Sequence, residues 1–165
     1  MQESPETTCE PNTSPYDYLI YLKADLNQIG YGQQAISQKP IANRQQKMTT
    51  EFANTFAHEW IDSWNGHDLE MIISHYADDL QFYSPVIKQL GVNEKGIITD
   101  KQTLKAYFAK GLQVYPDLYF NFHEVLAGTN SLVIYYTSIN NRKSAEMMQF
   151  DKNGKVNLVR AHYSN

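Results

Sequence analysis

Six acidic residues and histidines fall within the short stretch 64–85, namely His67, Asp68, Glu70, His75, Asp78 and Asp79. Histidines and carboxylates this close in sequence are the residue types that bind metals or transfer protons. The two histidines are eight positions apart, however, whereas two ligands on one face of a helix need a spacing of four. The spacing therefore disfavours a metal site in this stretch.

Helix capping and turn formation explain the four acids better. Asp68 precedes the first apolar residue of a helical pattern, where a carboxylate accepts hydrogen bonds from free N–H groups. Glu70 falls in the same first turn, where the helix dipole favours an acid. Asp78 and Asp79 follow the last apolar residue of this helix and precede a strand, which predicts a turn.

Glu146 is the strongest candidate for acid–base chemistry. It alternates with Met148 and Phe150 and should share their face of a strand. If that face is inward, apolar surroundings would raise the pKa of the carboxyl and make it a usable acid or base. The alternatives are that Ala145 and Met147 face inward, or that Glu146 lies at an exposed strand end. Alternation alone does not choose between the faces.

Two histidines and several tyrosines in the second half of the chain are further candidates. His123 and His162 lie in strand-like segments, where either a solvated face or the polar wall of a pocket fits them. A structural role is the simpler interpretation of His123. Tyr107 and Tyr136 combine an apolar ring with a hydroxyl that could face a ligand.

The elements that must position these residues are three helices and five strands. Apolar residues recur every four positions from Phe52 to Trp64, which predicts a helix, and a second, shorter pattern covers 69–76. Residues 80–86 alternate like a strand, and 87–99 have the character of a loop. Thr99 and Gln102 form a capping-box pattern that opens a third helix.

The last third of the chain reads as four antiparallel strands separated by short turns. The turn at Asn153-Gly154 is the strongest hairpin signal. Helices followed by consecutive strands predict an α+β fold in which the helices cover one face of a curved sheet.

Composition limits the classes of function. The chain has 165 residues, a formal net charge of −4 and 42% hydrophobic residues, and it has no basic cluster or long apolar run. We therefore expect a globular protein that binds neither nucleic acid nor membrane. A single cysteine, Cys9, rules out a disulfide framework within the chain, and the cytoplasm is the expected location.

Residues 1–47 are predicted to be an extension of low order, with one possible short helix over 16–26 that would dock on the domain or on a partner. An alternative is that Met48 is the natural start. Residues 48–165 would form the one domain.

This domain resembles the nuclear transport factor 2-like superfamily and, within it, the SnoaL-like proteins. Three segments are similar to the family pattern: FAHEWIDSWNGHDLEMIISHYADDLQFYSP, ITDKQTLKAYFAKGLQVYPDLYF and MMQFDKNGKVNLVRAHY. The order of helices and strands agrees as well. The resemblance implies a cone-shaped curved antiparallel sheet packed on three N-terminal helices, the roll also called cystatin-like.

The superfamily includes ketosteroid isomerase-like enzymes, dehydratases, epoxide hydrolases, polyketide cyclases and members without catalysis. In the ketosteroid isomerase pattern, an aspartate base stands before the proline of the first strand, where this chain has Ser84. An oxyanion-binding tyrosine corresponds to Trp60, and a second donor, an aspartic acid, corresponds to Glu146. Because serine without an activating partner cannot remove a carbon-bound proton, ketosteroid isomerisation by that mechanism is not expected.

The resemblance implies a pocket for a small apolar organic ligand, no cofactor and no metal, and a homodimer formed through the sheet. If the protein is an enzyme, it would be a cofactor-free isomerase, lyase or cyclase. Glu146 would be the main acid or base, assisted by His123 or Tyr107. The expected pocket lining is Trp60, Phe82, Ser84, Tyr107, Tyr136, Met148 and His162. The alternative is a non-catalytic module for ligand binding or dimerisation.

Overall fold

The structure is a computed structural model that describes residues 48–164. The predicted extension 1–47 and its possible helix lie outside the described residues. The helices are α1 (Thr50–Asn65), α2 (Leu69–Ser74), α3 (Pro85–Gln89) and α4 (Lys101–Val114). The strands are β1 (Tyr76–Tyr83), β2 (Ile97–Asp100), β3 (Asn121–Ala127), β4 (Ser131–Thr137), β5 (Lys143–Phe150) and β6 (Val156–Tyr163). A single 3-10 turn, Ile139–Asn141, joins β4 to β5.

The six strands form one curved, unclosed sheet in the order β2-β1-β6-β5-β4-β3. The four C-terminal strands pair antiparallel with their sequence neighbours, as predicted. The first strand joins this group through a parallel pairing with β6, which local patterns did not indicate. The α+β prediction is confirmed.

We call the side of the sheet that faces the helices the inner face and the opposite side the outer face. Buried positions on the inner face alternate along the strands, for example Ile134 and Tyr136 on β4. The long helix α1 packs here because its four-residue apolar repeat forms one continuous stripe. Phe56 of α1 meets Phe150 of β5 edge to face, with ring centroids 4.9 Å apart.

Local hydrogen bonds explain where α1 and α2 begin. The Thr49 hydroxyl accepts from the Phe52 amide at 3.1 Å and caps α1. The Asp68 carboxylate accepts from the Met71 amide at 2.9 Å and caps α2, as its position predicted.

Three predicted boundaries are corrected. Helix α4 starts one residue later than expected, because Asp100 rather than Thr99 accepts from the Thr103 amide, at 2.8 Å. The predicted loop 87–99 contains the end of α3 and most of β2, elements too short to show a period in sequence. Asp78 and Asp79 lie inside β1 with exposed side chains rather than in a turn before it.

The β5–β6 hairpin is built as the sequence predicted. The Asp151 carboxylate accepts from the backbone amides of Asn153 and Lys155, both at 2.8 Å. Gly154 has φ of +75°, a conformation that side chains disfavour. This turn fixes the register that brings Glu146 opposite Ala161.

Candidate functional site

An apolar pocket of about 120 Å³ opens at one end of the inner face. Helix α4, the α3 segment, the β4–β5 turn and the ends of β5 and β6 form its walls. Aromatic and aliphatic side chains predominate, and the polar groups are few. The lining residues are Trp64, Phe82, Val86, Gln89, Leu90, Tyr107, Phe108, Gly111, Tyr115, Leu118, Ser138, Ile139, Arg142, Glu146 and Tyr163.

Glu146 is the only acidic residue among these lining residues. Its side chain belongs to the inner face of β5 and is 5% exposed. The Tyr136 hydroxyl donates to Oε1 at 2.8 Å. Within residues 48–164, the second carboxyl oxygen, Oε2, is buried and has no hydrogen-bond partner. A buried oxygen of this kind is costly unless a ligand or water pairs with it.

Burial raises the pKa of Glu146 from its ordinary value of 4.5 to about 7, although the hydrogen bond from Tyr136 lowers it. Low-dielectric surroundings disfavour the charged form, whereas the donated bond favours it. Both protonation states are therefore populated near neutral pH, which is the condition for a group that takes up and returns protons.

Aromatic packing fixes the partner of Glu146. Tyr136 is 1% exposed, and its ring lies 4.4 Å from that of Phe120 and 5.7 Å from that of Trp60. The Trp60 indole in turn donates to the Tyr76 hydroxyl at 3.0 Å. Because these side chains are fully packed, the carboxyl is held in one orientation.

The hydroxyl of Ser84 has a structural role and is not placed to remove a proton from a ligand. It accepts from the Val86 amide at 3.2 Å and so caps α3. It also lies 3.3 Å from the hydroxyl oxygen of Tyr163, a pocket-lining residue. Among the hydrogen bonds of the described chain, Ser84 has none with a carboxylate or a histidine, and so no group is in place to activate it.

Two tyrosines and one tryptophan that carry neutral donor groups line the pocket. Burial raises the pKa of Tyr107 to about 12 and that of Tyr163 further, so both keep their protons at neutral pH. The buried indole N–H of Trp64 has no hydrogen-bond partner in the part of the chain that is described. Donors of this kind could stabilise negative charge on a ligand oxygen.

The predicted site residues fall into three groups in the structure. Glu146, Phe82 and Tyr107 line the pocket. Four others are buried on the helix-facing side without forming the pocket wall: Trp60, Ser84, Tyr136 and Met148. The last two, His123 and His162, are exposed and contribute nothing to the lining.

The positions of the two histidines correct the expectation that a histidine assists Glu146. His123 lies at a bulge in β3, between the pairs Phe122–Tyr136 and Glu124–Tyr135. Its Nε2 is 2.7 Å from the hydroxyl of Thr137, on the outer face. Because of the bulge, Phe122 and Glu124 lie on opposite faces although they are two positions apart. Tyr136 takes the place beside Glu146 that we had expected for a histidine.

His162 was expected to line the pocket and lies on the outer face instead. It neighbours Ala161 and Tyr163, whose side chains point inward, and strand alternation turns it outward. Its Nδ1 is 3.3 Å from the Ala145 carbonyl oxygen.

Sequence reasoning missed seven polar or aromatic lining residues, namely Trp64, Gln89, Phe108, Tyr115, Ser138, Arg142 and Tyr163. Alternation could have found Arg142, because it shares parity with Ser144 and Glu146. It was overlooked because INNRK reads as a turn, and a turn gives no reason to assign a side chain to either face.

None of the acidic residues and histidines of the stretch 64–85 lines the pocket. Glu70 forms an ion pair with Lys105 of α4, and the His67 ring nitrogen Nε2 lies 2.9 Å from the Leu118 carbonyl oxygen. His75 is buried against Phe56, and desolvation lowers its pKa. Within residues 48–164, no three histidine, cysteine, aspartate or glutamate side chains are grouped to hold a metal ion.

Across the described helices, none has both the length and the apolar character needed to cross a bilayer.

Comparison with protein families gives a match between residues 57–156 and the family described as SnoaL-like domain. The match covers most of the described chain, from within α1 to the start of β6. No curated protein shows a significant match to this sequence.

Several solved structures share the fold. A SnoaL-like protein of unknown function from Burkholderia thailandensis is 38% identical, with a TM-score of 0.69, over 73% of this chain and 100% of that one. A candidate isomerase of the SnoaL-like family from Agrobacterium tumefaciens is 13% identical, with a TM-score of 0.58, over 70% and 100%. An NTF2-like protein of unknown function from Cytophaga hutchinsonii is 11% identical, with a TM-score of 0.53, over 78% and 95%.

Proposed function

This chain belongs to the SnoaL-like domain family, and we propose that its pocket binds a small apolar organic molecule on which Glu146 performs acid–base chemistry. The reaction class would be a cofactor-free isomerisation or a related proton-transfer reaction, such as that of a lyase or cyclase. The low identity to the Agrobacterium protein supports only the shared fold, so the proposal depends on the pocket itself.

One observation carries the proposal. Glu146 lines an apolar pocket, keeps one carboxyl oxygen bonded to Tyr136, and has its other oxygen buried without a partner among the described residues. A purely structural carboxyl would be expected to satisfy both oxygens, because an unmet hydrogen bond of a buried polar group costs roughly 1–3 kcal/mol. A ligand C–H or O–H group placed against Oε2 would give this oxygen the partner that it lacks.

The proton transfers can be written for a ligand with a carbonyl next to an acidic C–H bond. The Glu146 carboxylate takes the proton from that carbon, the C–H electron pair becomes a C=C bond, and charge moves to the carbonyl oxygen. A neutral donor that lines the pocket, the Trp64 indole or the Tyr163 hydroxyl, would stabilise this oxygen. Glu146 then returns the same proton to another carbon, so that no cofactor or net proton is consumed.

The experiment uses cyclohex-3-en-1-one, a small ketone whose isomerisation to the conjugated enone is followed by ultraviolet absorption. We expect the wild-type protein to accelerate this conversion and Glu146→Gln to reduce kcat/KM by about 100-fold or more, the usual range for loss of a general acid–base group. Glu124→Gln, which alters an exposed carboxylate of β3, is the matched control and should retain the full rate.

Equal rates for wild type and Glu146→Gln would remove Glu146 from the mechanism. A wild-type protein that binds the ketone without converting it would favour the non-catalytic alternative. A feature that favours this alternative is that Glu146 is the only acid of the lining and that no histidine joins it there. Native mass spectrometry of the purified protein for a co-purified ligand tests binding directly.

We further propose that the protein forms a homodimer through the outer face of its sheet. Leu126 of β3 is 55% exposed on that side, and Tyr135 and Met147 are half-buried there. Sedimentation velocity tests this, and a monomer at micromolar concentration would contradict it. The cytoplasmic location and the division at residue 48 stay predictions from the sequence.

A further inference from the structure

We infer that the natural ligand of the pocket carries a carboxylate, or an equivalent planar anionic group, that pairs with Arg142 at the pocket mouth. The inference rests on the proposed function, since it specifies the kind of molecule that Glu146 would act upon. It predicts a small organic acid rather than a neutral hydrocarbon-like ligand.

Arg142 is held in place by two contacts that leave most of its donors unused. Its Nε donates to the Ser164 carbonyl oxygen at 3.2 Å, and its guanidinium carbon lies 4.6 Å from the centre of the Tyr163 ring. Within residues 48–164, its terminal Nη groups make no hydrogen bond. A guanidinium offers five N–H donors in a fixed plane. A guanidinium that is already held in position can therefore donate two parallel hydrogen bonds to a carboxylate.

The charge of Arg142 is also not neutralised by the described part of the chain. The ion pairs of residues 48–164 are those of Lys101 with Asp78 and of Lys105 with Glu70, both away from the pocket lining. Arg142 is the only cationic lining residue, and Glu146 is the only acidic one. Arginine binds carboxylates through two parallel hydrogen bonds, a geometry that lysine does not provide.

The two charged lining residues are arranged for the two ends of one molecule. Arg142 and Glu146 share the parity of the inner face and are four positions apart, or about 13 Å between Cα atoms at the usual strand rise. Both side chains line the same pocket. A carboxylate at Arg142 would thus leave the body of the ligand beside Glu146.

The size of the pocket limits the size of the ligand. Its volume is about 120 Å³. An apolar cavity of about 150 Å³ is known to accept benzene. The pocket here is somewhat smaller but is open to solvent, so a single ring or a short branched chain is the largest body we expect it to hold, with the acid group toward the opening.

A second arginine provides an internal control. Arg160 of β6 also lies over a tyrosine ring, with its guanidinium carbon 4.4 Å from the centre of Tyr83. It is exposed, however, and does not line the pocket. The two arginines share a stacking partner of the same type, but Arg142 lines the pocket that contains Glu146, whereas Arg160 borders a separate depression of the surface.

The test measures binding of phenylacetate and of its neutral isostere 2-phenylacetamide by isothermal titration calorimetry. We expect the wild-type protein to bind phenylacetate about 10- to 100-fold more tightly, as a charge-assisted hydrogen-bonded pair would give. Arg142→Gln should abolish this preference by weakening phenylacetate alone, and Arg142→Lys should restore part of it. Arg160→Gln should bind both probes like the wild type. Circular dichroism melting curves establish that each variant is folded.

Three other results of this experiment would each contradict the inference. Equal affinity of the wild type for both probes would overturn the anionic ligand while leaving the pocket and Glu146 in place. A carboxylate preference that survives Arg142→Gln would overturn the role of Arg142. Failure of both probes to bind at millimolar concentration would count against the pocket as a ligand site, and so against this inference and the proposed function together.

Discussion

The two faces of the β4–β6 sheet give neighbouring residues opposite surroundings. Glu146 on the inner face is 5% exposed, faces an apolar pocket and has its pKa raised to about 7 by burial. His162 on the outer face belongs to the adjacent strand and is exposed. By side-chain type alone, a histidine is the more usual acid–base group near neutral pH.

The difference shows that position on the sheet, rather than residue type, decides which group can do chemistry. A strand turns successive side chains to opposite sides, so a single step along the chain moves a group from water into the core. Desolvation then gives a carboxyl the pKa range that histidine has in water. Three predictions test this difference between the two faces of the sheet.

The largest effect is expected from two neighbouring methionines. Met148 is 0% exposed on the inner face, whereas Met147 is half-buried on the outer face. Met148→Ala should lower the free energy of unfolding by about 2–5 kcal/mol, because it leaves a cavity in the core. Met147→Ala should lower it by about 1 kcal/mol or less. Urea unfolding measures both, and equal losses would contradict the assignment of faces.

The next effect concerns the pH dependence of stability at Glu146. Folding raises the pKa of this carboxyl from 4.5 to about 7, so its stabilising contribution is complete below pH 4.5 and is lost as the pH rises through 7. Glu146→Gln removes the titration. The wild type should therefore lose about 2–3 kcal/mol relative to Glu146→Gln between pH 4 and pH 8.5.

Urea unfolding of both proteins across this pH range measures the difference, in which the titrations of all other groups cancel. Glu124→Gln on the exposed side of β3 is the control and should leave the curve with the shape of the wild type. A constant difference between wild type and Glu146→Gln at all pH values would show that the carboxyl titrates as it does in water.

The smallest effect is expected on the outer face. His123→Ala and His162→Ala should each change the free energy of unfolding by about 0.5 kcal/mol or less, since both side chains are exposed. Both variants should also keep the wild-type rate in the ketone assay. A rate loss of tenfold or more in either would place the outer face in the mechanism.

Much of the fold was predictable because its signals are local. The four-residue repeat from Phe52 to Trp64 gave α1, and the Asn153-Gly154 turn gave the last hairpin. Asp68 was recognised as a helix cap from its place before an apolar pattern. The short elements α3 and β2 escaped notice, since five or four residues cannot establish a period.

The site was predictable only in part, because it depends on contacts between distant segments. Glu146 could be singled out as an acid among apolar neighbours. Its partner Tyr136 comes from another strand, through the pairing of Tyr136 with Ser144. The bulge in β3 at His123, which shifts the alternation of faces between Phe122 and Glu124, leaves no sequence signal of its own.

The residues alone were enough to predict the α+β class, the order of the longer helices and strands, the family resemblance and Glu146 as a candidate. Periodicity, helix capping and turn formation depend on residues that are close together in sequence. They can therefore be recognised without knowing how the rest of the chain folds. The packed fold was needed to show that Glu146 faces inward, that Tyr136 rather than a histidine contacts it, and that Arg142 lines the pocket. The reason is physical: alternation gives a strand two equivalent faces, and packing against helices α1 and α4 makes one of them the interior.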